Sequence, residues 1–205
     1  MEQQPYGIKK ASFFTSVGLG QSYPAPLPCE IAIVGKSNVG KSSLINCITN
    51  NGKLARTSST PGKTRLINFF TLTGTDNETM FLVDLPGYGY AKASKTEQKS
   101  WGDLIESYLS SGRVKHLFLL LDIRHEPTAA DKQMFAYILY YGIPFTLVAT
   151  KSDKLAKSKR QQSANLVAKQ LGAPPAALAF SSETGEGKQA LIDRIRDVMK
   201  DCPNP

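Results

Sequence analysis

The stretch "GKSNVGKS", Gly35–Ser42, follows the apolar run "EIAIVG" and leads into "KSSLINCITN", whose Leu44, Ile45 and Ile48 share one helical face. It fits the pattern G-x-x-x-x-G-K-[ST] in the strand-to-helix setting that gives the pattern its meaning. Glycine lets backbone amides close around phosphate oxygens, and the start of a helix adds the positive end of its dipole. Gly35, Lys36, Ser37, Asn38, Val39 and Gly40 are therefore read as a phosphate cradle. Lys41 would reach the β and γ phosphates, and the Ser42 hydroxyl would ligate Mg²⁺.

Outward from this loop, strands and helices alternate. "LINFFTLTG" and "TMFLVDLPG" flank "TDNE" and read as a hairpin, hence one antiparallel pair. Strands are expected at "HLFLLLD", "PFTLVAT" and "ALAFSS", and "KQALIDRIRDVMK" sets Leu191, Ile192, Ile195 and Val198 at helical spacing. This order predicts an α/β fold with a mostly parallel six-stranded sheet, one antiparallel edge strand and helices on both faces, and the order of the motifs below makes it a P-loop NTPase G domain. The domain is expected over 29–205, after an N-terminal extension, 1–28, that ends in the extended, Pro-rich "YPAPLP". Ligands of such sheets bind at the carboxyl ends of the strands, so informative residues should follow strands.

Three further motifs do follow strands. In "DLPG", Asp84, Leu85, Pro86 and Gly87, the Asp84 carboxylate would hold Mg²⁺ through a water, and the Gly87 amide would meet the γ phosphate. In "TKSD", Thr150, Lys151, Ser152 and Asp153, the Asp153 carboxylate can accept from N1–H and the exocyclic amine of guanine. Adenine would leave that carboxylate desolvated and unpaired, at a cost of about 1–3 kcal/mol. Lys151 would lay its alkyl stem along the purine. Thr150 stands where the usual motif begins with Asn, which predicts a base loop held less tightly. "FSS", Phe180, Ser181 and Ser182, follows the last strand, where a backbone amide could meet guanine O6. The long polar loop 51–65 must then supply a threonine to Mg²⁺. Of Thr57, Thr60 and Thr64, the choice is Thr64, which stands just before the strand paired with the DxxG strand.

Composition narrows the class. A chain of 205 residues, 41% hydrophobic, suits one domain with one sizeable core. Its longest apolar runs are far too short to span a bilayer, which argues against an integral membrane protein. Cys29, Cys47 and Cys202 lack both zinc-site spacing and the even count of a disulfide framework, which points to a reducing cytosol. The net charge of +8 favours polyanionic partners such as nucleic acid or an anionic membrane face. Cations are densest in "KSDKLAKSKR", 151–160, which reads equally well as an RNA-facing surface or a solvated helix face.

Taken in order, these motifs resemble the EngB (YihA/YsxC) family of TrmE–Era-like GTPases. The resemblance runs from Cys29 to Lys200, through "GKSNVGKSSLIN", "SSTPGKTRLINFF", "DLPGYGYA", "LLLDIRHEPTAAD", "TKSDKL" and "FSS". Thr150 looks like the family's own variant. The resemblance implies a cytoplasmic, monomeric GTPase that acts in assembly of the large (50S) ribosomal subunit, with ribosomal RNA as partner and a link to cell division and septation. It implies that the cradle extends to Ser43, that Gly62, Lys63, Thr64, Arg65 and Leu66 end the first switch, and that Ser42 and Thr64 ligate Mg²⁺. It also implies that Asn38 helps hold a potassium ion. Lys41, Thr64 and Gly87 are the residues expected to carry catalysis.

Tyr88 stands where GTPases of the Ras type carry the glutamine that orients the attacking water. A phenol of ordinary pKa near 10 is a poor base at neutral pH, so unaided hydrolysis should be slow and completed by potassium or a partner's group. Packing is the other reading: Tyr88 and Tyr90 as surface anchors of an interface. His116 and His125 have no partners at metal spacing and receive no catalytic role, and Arg124 is expected to pair with a neighbouring acid. Two competing functions are a nucleotide-indifferent RNA-binding module and a small-molecule kinase on the same phosphate loop. Lys41, Ser42, Thr64 and Asp84 argue against the first, "TKSD" against the second.

Overall fold

The computed structural model describes residues 5–55, 66–89 and 95–202. Seven strands form one sheet: β1 (Ile8–Val17), β2 (Glu30–Gly35), β3 (Ile67–Gly74), β4 (Thr79–Asp84), β5 (His116–Asp122), β6 (Phe145–Thr150) and β7 (Leu178–Ala179). Between and after them run α1 (Lys41–Ile48), α2 (Lys95–Leu109), α3 (Ala129–Tyr140), α4 (Lys157–Leu171) and α5 (Lys188–Asp201). The strand order is β1-β3-β4-β2-β5-β6-β7. The pairs from β4 through β2, β5 and β6 to β7 are parallel, and β3 is antiparallel to both of its neighbours.

The central strands are buried along nearly their whole length because helices cover both faces of the sheet. Their alternate residues still divide between two cores. Ala32, Val34, Leu117 and Leu119 join Leu104, Tyr108, Met134, Ile138 and Val167 under α2, α3 and α4. Ile31, Ile33, Phe118 and Leu120 join Leu44, Ile48, Leu191 and Ile195 under α1 and α5. Among the described residues no helix is long and apolar enough to cross a membrane.

Two features depart from the expected sheet. It has seven strands where six are predicted, because the N-terminal extension supplies β1. The strand that runs against the others, β3, is second from the edge and not at it. The period-2 signal of β1 is obscured by irregular register between Ile8 and Lys10 and between Phe13 and Thr15, where an extra residue interrupts the alternation. Its one fully covered apolar side chain is Val17. The Pro-rich lead-in is also pinned. Arg113 donates to Pro24 O (2.9 Å) and to the buried Glu30 carboxylate, which also accepts from Tyr108 Oη at 2.8 Å.

His116, at the start of β5, is buried with Nε2 2.8 Å from Thr146 Oγ1 on β6. Burial, and then the Arg194 charge, lower its imidazole to about 4. The folded state therefore resists protonation down to about pH 4, whereas the unfolded chain takes up the proton near its ordinary value of 6.5. The unfolded form binds more protons in that window, so stability falls as pH drops through it, at no more than ~1.4 kcal/mol per pH unit. Urea unfolding of wild type and His116→Gln between pH 7 and 4 is expected to show this slope reduced in the variant.

Candidate nucleotide site

The four motifs come together at the carboxyl ends of β2, β4, β6 and β7. Gly35 ends β2, and the loop turns into α1 through Asn38 (φ 63°) and Gly40 (φ 108°). Gly40 is the residue before α1, in a left-handed conformation that glycine adopts without strain. No side chain caps this helix start and its first turn carries no acid, so the positive end of the dipole is left for an outside anion.

The DxxG loop seats on the cradle. Ser37 N donates to Tyr88 O at 2.9 Å, and Lys36 and Tyr88 form an isolated parallel bridge. Gly87 lies so close that a Cβ there would sit 3.2 Å from Lys41 Nζ and from Ser37 N, a tight fit against the phosphate loop. Lys41 Nζ stands 3.9 Å from Asp84 Oδ1. That oxygen is buried and has no hydrogen-bond partner among the described residues. Burial raises the Asp84 carboxyl above its ordinary value, while Lys41 and a hydrogen bond with Asn68 pull the other way. An orphaned, buried carboxylate oxygen beside the cradle fits a divalent cation, held directly or through water. Gly62, Lys63, Thr64 and Arg65, with Thr57, Thr60 and Tyr90, lie outside the described residues. Leu66, just before β3, has its side chain beside Gly18.

The base loop is welded to the phosphate loop. Thr150, expected to hold it less tightly, is buried and donates its single hydroxyl proton towards Val39 O (2.7 Å), with Leu121 O at 3.1 Å. Lys151 adopts φ 62°, and its Nζ reaches Asn38 O (2.8 Å) and Asp122 Oδ2 (3.0 Å). A left-handed lysine costs conformational energy, and here two fixed partners hold its side chain. Asp153 accepts from Ser181 Oγ (2.8 Å) and pairs with Lys154 (3.0 Å), and these two contacts lower its carboxyl below its ordinary value. Ser181 Oγ also accepts from Glu183 N and Thr184 N, which completes the capacity of a hydroxyl. Phe180 is core, 1% exposed, and its carbonyl accepts from Ser152 N at 3.0 Å.

Two residues given no role of their own in the sequence reading prove structural to the site. Glu186 accepts from Ser152 Oγ and from Arg160 Nη1 (2.8 Å), and its backbone carbonyl takes the Ser181 amide. Its setting between Gly185 and Gly187, both at positive φ, was the available signal. Asp122 is the other. Burial would raise its carboxyl, yet hydrogen bonds from Arg124 and Lys151 hold it well below the usual range. The expected Arg124 ion pair is present, with Nη2 at 2.7 Å and Nε at 2.9 Å.

Tyr88 is no surface anchor. It is 4% exposed, donates from Oη to Asp131 Oδ1 at 2.7 Å, and packs edge-on against Trp101. Burial and then the Asp131 carboxylate push its phenol well above the ordinary value, which keeps it a donor.

A family model described as "50S ribosome-binding GTPase" matches residues 30–151. A probable GTP-binding protein EngB of Clostridium perfringens is 49% identical over 195 residues, spanning 94% of this chain and 97% of the relative. Its counterpart in Pelotomaculum thermopropionicum is 47% identical over 191 residues, 92% of this chain and 94% of the relative. The crystal structure of a probable GTP-binding protein engB aligns with TM-score 0.66 at 24% identity, covering 84% of this chain and all of that one. Era, solved with MgGDPNP and nucleotides 1506–1542 of 16S ribosomal RNA, aligns with TM-score 0.69 at 21% identity, covering 86% and 57%. At those identities the solved structures speak to the fold.

The Thr150 hydroxyl carries a test. Thr150→Val keeps the shape, removes the donor to Val39 O, and is expected to lower the unfolding free energy by about 1–2 kcal/mol in urea titrations. Thr150→Ser, which keeps the hydroxyl, should lose less; equal losses would show that the methyl group and not the hydrogen bond matters.

Proposed function

The chain belongs to the EngB family of GTP-binding proteins, and on that premise we propose that it is a GTP-hydrolysing switch in large-subunit ribosome assembly. The single observation that carries the nucleotide chemistry is the pairing of Lys41 with the orphaned Asp84 oxygen at one end of a site whose other end is the Asp153 carboxylate. A cation-ready, phosphate-ready pole and a purine-reading pole are joined by the Thr150 and Lys151 contacts to the phosphate loop.

In this reading the Gly35–Ser43 amides hold the phosphates and Lys41 neutralises charge between β and γ. Ser42 and Thr64, with Asp84 through water, would hold Mg²⁺, which supplies further neutralisation of the phosphate oxygens. Asp153 accepts from both guanine donors, the Lys151 stem covers the purine face, and Ser182 offers its amide to O6 because the Ser181 amide is already taken by Glu186. Tyr88, turned to Asp131, provides no base and orients no water. Turnover is accordingly slow alone and rises when charge is supplied from outside, by potassium beside Asn38 or by the partner.

The ribosomal part rests on different support. The matching family model is described as ribosome-binding, and the chain carries net charge +8. A monomer that docks on precursor particles as the GTP form and leaves after hydrolysis fits both, in a cytoplasmic setting, with any septation defect following from poor ribosome supply.

Asp153→Asn is expected to shift preference from GTP toward XTP by at least about tenfold in competition titrations, because the amide can donate where xanthine presents an oxygen. Unchanged GTP affinity in the variant would overturn the base assignment. Cosedimentation with large-subunit precursors should favour a non-hydrolysable GTP analogue over GDP and weaken as salt rises; equal binding with GDP, GTP or neither would remove the switch.

A further inference from the structure

The loop that would meet the terminal phosphate is oriented from the far side. Trp101, on α2, donates its indole Nε1–H to Pro86 O at 3.0 Å. Pro86 O and Gly87 N–H belong to one peptide unit, and no peptide bond among the described residues is cis. In a planar trans peptide the carbonyl and the N–H point in opposite directions. Fixing the Pro86 carbonyl toward α2 therefore aims the Gly87 N–H away from α2. Two residues on, Tyr88 O is fixed in turn by Ser37 N at 2.9 Å.

Trp101 is itself held. Its ring meets the Tyr88 ring edge-on, with centroids 5.9 Å apart. Tyr88 is anchored by its 2.7 Å hydrogen bond to Asp131. Asp131 cannot swing freely, because its other oxygen accepts from Thr128 N (2.7 Å) and closes the capping box that starts α3. An unbroken chain of contacts thus runs from α3 through Asp131, Tyr88 and Trp101 to the peptide of Gly87.

We infer that Trp101 and Tyr88 are positioning residues that preset the Gly87 amide for a terminal phosphate. The inference rests on the GTP reading above. A diphosphate offers this amide no partner, so the benefit of presetting falls on the triphosphate alone.

Trp101 is the chain's one tryptophan, so its fluorescence reports on this peptide directly. In wild type, emission is expected to differ between the GDP form and the form with a non-hydrolysable GTP analogue. Trp101→Phe keeps an aromatic ring beside Tyr88 and loses the indole donor. It should weaken the triphosphate analogue by about five- to tenfold while leaving GDP within about twofold, and should lower kcat. Tyr88→Phe keeps the indole probe and loses the Asp131 anchor; its triphosphate affinity should fall in the same direction, and its emission should no longer separate the two states. Asp131→Asn, which retains an acceptor for the phenol, should restore most of the selectivity lost in Asp131→Ala. A merely structural role would weaken both nucleotides alike. That result, or an unchanged triphosphate-to-diphosphate ratio in either aromatic variant, or identical wild-type emission in both states, overturns the inference while leaving GTP binding intact. A wild-type protein that bound neither guanine nucleotide would overturn the GTP reading and this inference with it.

Discussion

The phosphate loop is a hub whose backbone groups hold two other loops in place. Asn38 O takes the Lys151 ammonium, Val39 O takes the Thr150 hydroxyl, and Ser37 N gives its proton to Tyr88 O. A polar backbone turn at the end of a buried strand would be costly if these groups lacked partners. Supplying them from the base loop on one side and the DxxG loop on the other fixes three loops, which are far apart in sequence, relative to one another. No side chain caps the start of α1, where the positive end of its dipole favours an anion.

Electrostatics follow from this arrangement. Lys41 and Asp84 form a long ion pair at 3.9 Å with no hydrogen bond, which leaves a buried carboxylate oxygen without a hydrogen-bond partner among the described residues. Such an atom is a standing cost in the empty site and a gain once a cation or its water arrives. The basic run after β6 behaves differently from its composition. Lys151 faces Asp122, Lys154 faces Asp153, and Arg160 faces Glu186, so three of its cations serve the base loop. Lys157 and Lys159 remain exposed on α4. Three of the five cations in the run are thus paired with acids, although Lys154 keeps an exposed side chain.

Tyr88 illustrates why a motif position and its chemistry can part company. Its place in the chain is that of a water-orienting glutamine, but its side chain is drawn into the core by Trp101 and Asp131. A tyrosine offers a large apolar ring and one hydroxyl, and burial with a carboxylate partner uses both. The same residue's backbone carbonyl stays at the phosphate loop, so side chain and main chain work on opposite sides of one peptide.

The sequence by itself determined the α/β class, the central strands, the two-faced cover of helices and the phosphate, DxxG, base and FSS motifs, because each rests on local periodicity or on a contiguous pattern of residues. It also carried the Arg124 ion pair, two residues from its acid. Only the tertiary structure decided the rest. The strand β1 is interrupted by irregular register and pairs with partners fifty or more residues away. Thr150 looked like a weakened motif until the distant Val39 carbonyl gave its hydroxyl a partner, and Glu186 had no motif to announce its hold on Ser152 and Arg160. Periodicity records which face of an element is buried; which atom across the fold completes a hydrogen bond is recorded nowhere along the chain, because it depends on distances set only when the sheet has closed.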